Sequence, residues 1–276
     1  MTGRVVVVGT PIGNLGDLAP RAVEALAQAD VVACEDTRRT GRLLRHAGVT
    51  AGSLVRLDAN VEHETAPRLV ERAANGATIA VVSDAGLPGL ADPGAVLIRL
   101  AHEAGVPVVV VPGPFAGAVA AVASGLLDGS GRFSFEGFLP RRGRDRAERI
   151  ASLAGEDRPV VVYEAPHRVR RTVTDLAEVC GADRRVALCR ELTKLHETVW
   201  RGTLAEAAAQ LDEVEPRGEY VLVIEPASAV VDVDDATLVA AFDAAVVAGA
   251  TRRDAAVQVA RRFGVPPNRV KRLVAR

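Results

Sequence analysis

The chain has 276 residues, enough for two domains and a small third at about 150 residues per domain. Its 49% apolar and 25% charged residues exclude a disordered or low-complexity chain. With 34 basic against 35 acidic residues the formal net charge is −1, so any polyanion must be met by local patches. Three scattered cysteines, Cys34, Cys180 and Cys189, have no metal-ligand spacing and imply neither a metal site nor a disulfide framework. They fit a reducing cytoplasm. No apolar run approaches the roughly 18 to 20 residues of a membrane span, so no membrane partner is expected.

From residue 4 to about 125, short β-branched runs alternate with amphipathic stretches, the pattern of βαβ units. Strands are predicted at 5–8, 31–34, 54–57, 78–83 and 106–111, with helices at 21–29, 41–46, 62–75 and 95–104. Gly48, Gly76 and Gly105 follow three of those helices as left-handed terminators, and Asp92-Pro93 is read as the cap of the fourth. Loops rich in Gly, Pro and Asp follow strands one, four and five, and should meet in the crevice outside the strand ends. Beyond Gly125 the pattern changes: strands are predicted at 133–137, 160–163, 185–192, 198–202 and 220–224, and helices at 144–153, 168–179 and 204–211. Residues 226–235 read as a linker and 236–276 as a helical tail. The expected division is therefore 1–117, 118–226 and 236–276.

The first loop, Gly9-Thr-Pro-Ile-Gly-Asn-Leu-Gly16, stands where a dinucleotide-binding turn would, with Glu35 about 20 residues on. Its spacing argues against that use, because Pro11 occupies the position of the second fingerprint glycine and removes an amide donor. In the fourth loop, residues 83–94, Asp84 sits at a strand end where a carboxylate can meet a ligand's ammonium or hydroxyl groups. The rigid loop 112–117 forms a further wall.

Seven ordered motifs, Thr10-Pro-Ile-Gly-Asn-Leu15, Glu35-Asp-Thr-Arg38, Ser83-Asp-Ala-Gly86, Asp92-Pro-Gly94, Phe135-Glu-Gly-Phe-Leu-Pro140, Tyr163-Glu-Ala-Pro-His-Arg168 and Arg190-Glu-Leu-Thr-Lys194, carry a resemblance over residues 4 to about 226. The chain resembles the ribosomal RNA small subunit methyltransferase I family of the tetrapyrrole methylase superfamily. The resemblance implies an α/β fold of class III methyltransferase type, with two α/β domains flanking a cofactor cleft and a small helical C-terminal module. It implies a cytoplasmic homodimer that moves a methyl group from S-adenosyl-L-methionine to a cytidine 2′-hydroxyl of 16S rRNA. Motif by motif it places cofactor binding on Pro11, Asp84, Leu87, Phe115, Ala116, Tyr163, Arg190 and Glu219. Leu87 stands where the family carries threonine, and Phe115 where a small or polar residue is usual. A ribose hydroxyl is a poor nucleophile, which asks for a base or a charged group beside it. Asp36, Glu164, His167 and Lys194 are the candidates; ion pairs that merely shape loops, Glu164 with Arg168 and Asp36 with Arg38, are the alternative.

Two arginine clusters, Arg141, Arg142, Arg144, Arg146 and Arg149 after the Leu139-Pro140 turn and His167-Arg168-Val-Arg170-Arg171, are with Arg38 candidate RNA contacts; in the first, Asp145 and Glu148 offset part of the charge, and a solvated helix face is the alternative. From Gly249 to Arg276 eight basic residues face one acidic residue. The spacing there is that of a helix-turn-helix, with Thr251 as a cap, Pro266-Pro267 opening the second helix, Val265 and Val270 inward, and Arg269, Lys271 and Arg272 outward. 16S rRNA or the small ribosomal subunit is the expected partner. Two other readings stay open: a tetrapyrrole C-methyltransferase on the same scaffold, and a DNA-binding regulator using the tail.

Overall fold

Valine-rich runs without charge are stable only when both faces are covered, and the computed structural model, which describes residues 3–127, 129–227, 234–263, 265 and 267–274, places them in two five-stranded sheets. The first sheet is parallel throughout: β1 (Arg4–Val8), β2 (Val31–Cys34), β3 (Leu54–Arg56), β4 (Thr78–Val82) and β5 (Val108–Val111) stand in the order β3-β2-β4-β1-β5. Helices α1 (Pro20–Ala27), α2 (Thr37–His46), α3 (Glu62–Ala74) and α4 (Ala95–Glu103) make the crossovers. Because side chains alternate along a strand, Val5 enters one core with Leu69 and Leu97, while Val6 and Val8 enter the other with Leu26 and Leu44. Gly48, Gly76 and Gly105 take the positive φ expected of them.

The cap assigned to Asp92 is a correction. Gly94 occupies the N-cap of α4 at φ +130°, and the helix amides are met from another element: Glu62 Oε1 accepts from the N–H groups of Gly94 (2.8 Å), Val96 (3.0 Å) and Leu97 (3.4 Å). A buried carboxylate at the start of α3 thereby fixes the start of α4, and Asp92 is left to face the cleft. Glu62→Ala orphans these donors and is expected to lower stability by about 2 kcal/mol in urea unfolding, with Glu62→Gln recovering part of the loss.

The second sheet is mixed. Its strands β6 (Ser134–Phe138), β7 (Val160–Glu164), β8 (Arg185–Arg190), β9 (Thr198–Thr203) and β10 (Tyr220–Ile224) run in the order β6-β7-β10-β8-β9, and only β6 and β7 pair in parallel. A helix absent from the sequence reading, α5 (Ala116–Ser124), covers one face, and the division expected after residue 117 falls inside it. Its Ala120 and Ala121 pack with Val161, Cys189, Val221 and Val223, and Ile12 of the first loop joins the same cluster, so the loop after β1 is anchored in the core of the second sheet. Helices α6 (Arg144–Leu153), α7 (Pro166–Cys180) and α8 (Leu204–Glu213) cover the other face.

The tail folds as α9 (Asp235–Val247), α10 (Arg252–Phe263) and α11 (Pro267–Leu273) around its own cluster of Leu238, Phe242, Val259, Val265 and Val270. Thr251 caps α10 as the spacing predicts, its Oγ1 accepting from the Asp254 amide at 3.2 Å. Asp234, read as linker, is the cap of α9. Residues 228–233 of the expected linker, and Gly264, Pro266 and Arg276 of the expected helix-turn-helix, lie outside the described residues.

Candidate active site

The loops after β1, β4 and β5 converge as the chain pattern predicts, and backbone contact locks them together. Thr10 and Gly86 exchange backbone hydrogen bonds (2.8 and 3.1 Å), and Gly9 lies so close to Gly113 that a Cβ on Gly9 would sit 2.5 Å from the Gly113 nitrogen. On the far side, Glu191 and Thr193 hold φ of +52° and +66° in the loop after β8, which packs on Gly13. Backbone held in this region by residues other than glycine is a mark of functional segments.

Between these loops and the second sheet lies a cavity of about 360 Å³, within the range of small-molecule sites. Its apolar wall includes Ile12, Leu87, Phe115, Phe138 and Tyr163. Phe115, Phe135, Tyr163 and Phe138 form a chain of edge-to-face contacts with centroids 4.9 to 5.6 Å apart, and the Tyr163 hydroxyl accepts the Gly117 amide at 3.1 Å. Burial pushes the Tyr163 phenol up to about 12, so it stays a neutral wall.

The floor is acidic: Glu35, Asp84 and Asp92 all line the cavity. Asp84 Oδ1 accepts the Asp36 amide (3.2 Å) and Oδ2 faces Arg39 Nη1 (3.2 Å). Burial first, then the charges of Glu35 and Asp84, push Asp92 up to about 6; burial and Asp84 also raise Glu35. These three carboxylates, with Glu219 and against the single guanidinium of Arg39, make the lining of the cleft suited to a cation. A carboxylate raised above its ordinary 3.8 contributes stability that is present below that value and lost as pH rises through about 6. Asp92→Asn should therefore flatten the fall in stability between about pH 4 and 6, read as melting temperature against pH.

Of the residues assigned to the cofactor, Asp84, Leu87, Phe115, Ala116, Tyr163 and Glu219 border this cavity, and Pro11 borders an adjoining one of about 450 Å³ together with Asp84 and Glu219. Arg190 borders neither; its Nε donates to the Arg217 carbonyl at 2.7 Å.

Each of the three residues assigned to catalysis is held by neighbouring groups in this structure. Glu164 is fully enclosed, with Oε2 accepting the Thr172 hydroxyl (2.6 Å) and Oε1 facing Arg168 Nε (3.1 Å), so the ion-pair alternative describes it. Asp36 caps α2, and the hydrogen bonds from the Arg38 side chain and amide hold its carboxyl down at about 2, a poor base. Burial disfavours the Lys194 charge, but hydrogen bonds to Glu191 (2.8 Å) and Glu219 (2.9 Å) outweigh it and raise the ammonium's pKa. Lys194 is thus a fixed cation at the rim of the adjoining cavity.

Among the candidate RNA contacts, Arg38, Arg141, Arg142, His167, Lys271 and Arg272 are exposed. Arg168 is turned inward to Glu164 and the Leu139 carbonyl, and Arg146 is buried on Asp175 and Thr172, so neither offers its charge to phosphate. Arg269 does not project outward but reaches back to Asp235 at 2.8 Å. Asp92, Glu35 and Phe138 belong to the cleft and were missed as a group. The signal for Asp92 was present in its motif but was assigned to a helix cap.

Comparison with known proteins is consistent with this geometry. The family profile of tetrapyrrole (corrin/porphyrin) methylases matches residues 4–208. A ribosomal RNA small subunit methyltransferase I of Synechocystis sp. is 46% identical over 226 residues, covering 82% of this chain and 80% of that protein. One of Escherichia coli O157:H7 is 43% identical over 225 residues, 81% and 78% of the two chains. Among solved structures, a uroporphyrin-III C-methyltransferase of Thermus thermophilus superposes with a TM-score of 0.56 at 25% identity, over 81% of this chain and 94% of that one. A uroporphyrin-III C-methyltransferase structure from Thermus thermophilus complexed with S-adenosylhomocysteine gives 0.58 at 20% identity over 81% and 97%. The ordered motifs, the paired sheets and these identities lead to one conclusion: the chain belongs to the tetrapyrrole methylase family and, within it, to the ribosomal RNA small subunit methyltransferases I.

Proposed function

We propose that the protein methylates the 2′-hydroxyl of a cytidine in 16S rRNA, with S-adenosyl-L-methionine as methyl donor. The observation that carries the cofactor is the acidic floor of the aromatic-walled cleft: Glu35, Asp84 and Asp92 are matched to a ligand with sulfonium and ammonium charges, and ill matched to a polycarboxylate tetrapyrrole. The relatives' names carry the substrate class, and the motif Glu35-Asp-Thr-Arg38 with the basic tail supports it. The residues fit the cofactor, with Asp84 and Asp92 to meet its cationic groups, the Phe115, Tyr163 and Leu87 side chains to cover its apolar parts, and the backbone at Pro11 and Ala116 to receive its polar edges. When bound, it supplies an electrophilic methyl group for an in-line displacement, and the protein's work is alignment and exclusion of water. Glu35, which burial and the charge of Asp84 make a stronger proton acceptor than an ordinary carboxylate, is the cleft group able to take the proton from the hydroxyl.

In this reading the first unit ends before α5, the second begins with it, and 236–276 faces RNA. The protein acts in the cytoplasm as a homodimer, which the exposed edge valines Val109 and Val110 and the 74% exposed Val122 support; sedimentation tests the oligomer. The deciding experiment incubates the protein with radiolabelled donor and small subunits from a strain lacking it, then digests the RNA to nucleosides. Label in 2′-O-methylcytidine is expected. If subunits from that strain already carry every 2′-O-methylcytidine, the reading is wrong.

A further inference from the structure

Helix α2 carries more positive charge than its packing requires. Its sequence, Thr37-Arg-Arg-Thr-Gly-Arg-Leu-Leu-Arg-His46, has four arginines and no carboxylate, and only Thr40 and Leu44 are buried. Arg38 and Arg39 are partly neutralised by Asp36 and Asp84. Arg42 and Arg45 are exposed and have no carboxylate partner among the described residues. Positions 38, 42 and 45 follow one face of the helix at steps of four and three, a ladder spanning about 10 Å along the axis. It borders an open cavity of about 550 Å³ on the outer side of α2.

Arg42 and Leu43 also line the 450 Å³ cavity between α2 and the turn at residues 10–13. That cavity shares Ile12, Arg39, Asp84, Ala85 and Glu219 with the cofactor cleft, so the two are continuous. Charge is uneven along this path: Glu35 and Asp92 line the cleft alone, Arg42 and Lys194 line the cavity beside α2 alone, and Asp84, Glu219 and Arg39 line both. Such a field draws a cation inward and keeps a polyanion at the rim, admitting only what projects from the polyanion's backbone. Guanidinium groups suit phosphate, which they contact in a bidentate manner.

We propose that the cavity between α2 and residues 10–13 is the subsite for the nucleotide next to the methylated one, and that Arg42 and Arg45 hold the phosphates of that RNA strand. This rests on the rRNA reading above and adds a path for the strand to it. Phosphates held on α2 bring the adjacent ribose over the cleft, so a strand gripped here is oriented as well as bound.

The test compares Arg42→Ala/Arg45→Ala with wild type for binding to 16S rRNA and to small subunits across a salt series. The expected result is a dissociation constant raised at least tenfold and a log–log salt slope lowered by roughly 1.5, as two phosphate contacts are lost. S-adenosylhomocysteine affinity should stay unchanged, and Arg42→Lys/Arg45→Lys should restore most of the slope. Arg68→Ala/Arg99→Ala removes the same charge from helices α3 and α4 and should leave RNA binding as in wild type. Wild-type affinity and slope in the α2 variant overturn the proposal, as does an equal loss in the α3/α4 control. Loss on small subunits with an unchanged salt slope means that α2 meets protein, and overturns it too. If the wild type itself neither binds nor methylates rRNA or subunits, the rRNA reading fails, an outcome distinct from all of these.

Discussion

Asp84→Asn is expected to weaken S-adenosylmethionine binding by roughly ten- to a hundredfold, because a hydrogen bond to a charged group contributes about 1.5–3 kcal/mol and each 1.4 kcal/mol is tenfold. The fold should survive the change. Asparagine keeps an oxygen to accept the Asp36 amide, and the lost pair with Arg39 is partly exposed, with side chains 20% and 58% accessible, so it is worth at most about 1 kcal/mol. The larger loss is electrostatic: a carboxylate leaves the cleft while the Arg39 guanidinium stays at its edge. Calorimetry with two ligands tells which charge Asp84 meets. Equal losses for S-adenosylmethionine and S-adenosylhomocysteine point to the ammonium that both carry; a loss confined to the former points to the sulfonium. Unchanged affinity for both would mean that Asp84 only ties the loop after β4 to the start of α2.

The elements most legible in the sequence were those whose burial leaves a period or a run. The valine runs of β1, β2 and β4 and the striped helices α3 and α7 fall within a few residues of their expected bounds. Helix α5 was invisible for a physical reason: Ala-Gly-Ala-Val-Ala-Ala-Val-Ala-Ser is apolar all round, so no stripe separates a core face from a solvent face. Its contacts are with strands more than 35 residues further on in the chain, and local pattern carries no trace of them. The same limit explains the misread polar residues. Asp92 before Pro93 has the local signature of a cap, yet the amides of α4 are met by Glu62, 32 residues earlier. Arg146 and Arg168 sit in clusters that read as a basic surface, and only the fold brings Asp175 and Glu164 to them. Chemistry that depends on a long-range partner is thus where sequence reasoning lost its grip, while the loops that build the cleft were recognised because glycine and proline mark them locally.

Deleting the chain after Ala227 should leave S-adenosylhomocysteine affinity nearly unchanged and weaken binding to rRNA or small subunits by roughly tenfold or more, with a flatter salt dependence. The cofactor cleft is built by residues 12–221, and α9, α10 and α11 have a hydrophobic cluster of their own, so the remaining chain keeps all the groups that line the cleft. The structure also revises the strength of the expected field. The excess of seven charges counted from Gly249 omits α9 and its cap, which add Asp234, Asp235 and Asp243; across residues 234–276 eight basic residues face four aspartates, an excess of four. Two of the basic groups are also occupied, Arg269 on Asp235 and Arg252 on the Val274 carbonyl and over the Phe242 ring. Arg253, Arg262, Lys271 and Arg272 remain exposed, and at about 0.7 to 0.9 per phosphate their loss flattens the log–log slope by about three. Within that set Lys271→Ala/Arg272→Ala should account for about half of the change, whereas Arg269→Ala should act on stability and barely on RNA, since its charge is spent on α9. If the shortened protein binds RNA with the full slope but sediments as a monomer, the tail is a packing element of the dimer, and α2 is left as the chain's principal phosphate-binding surface.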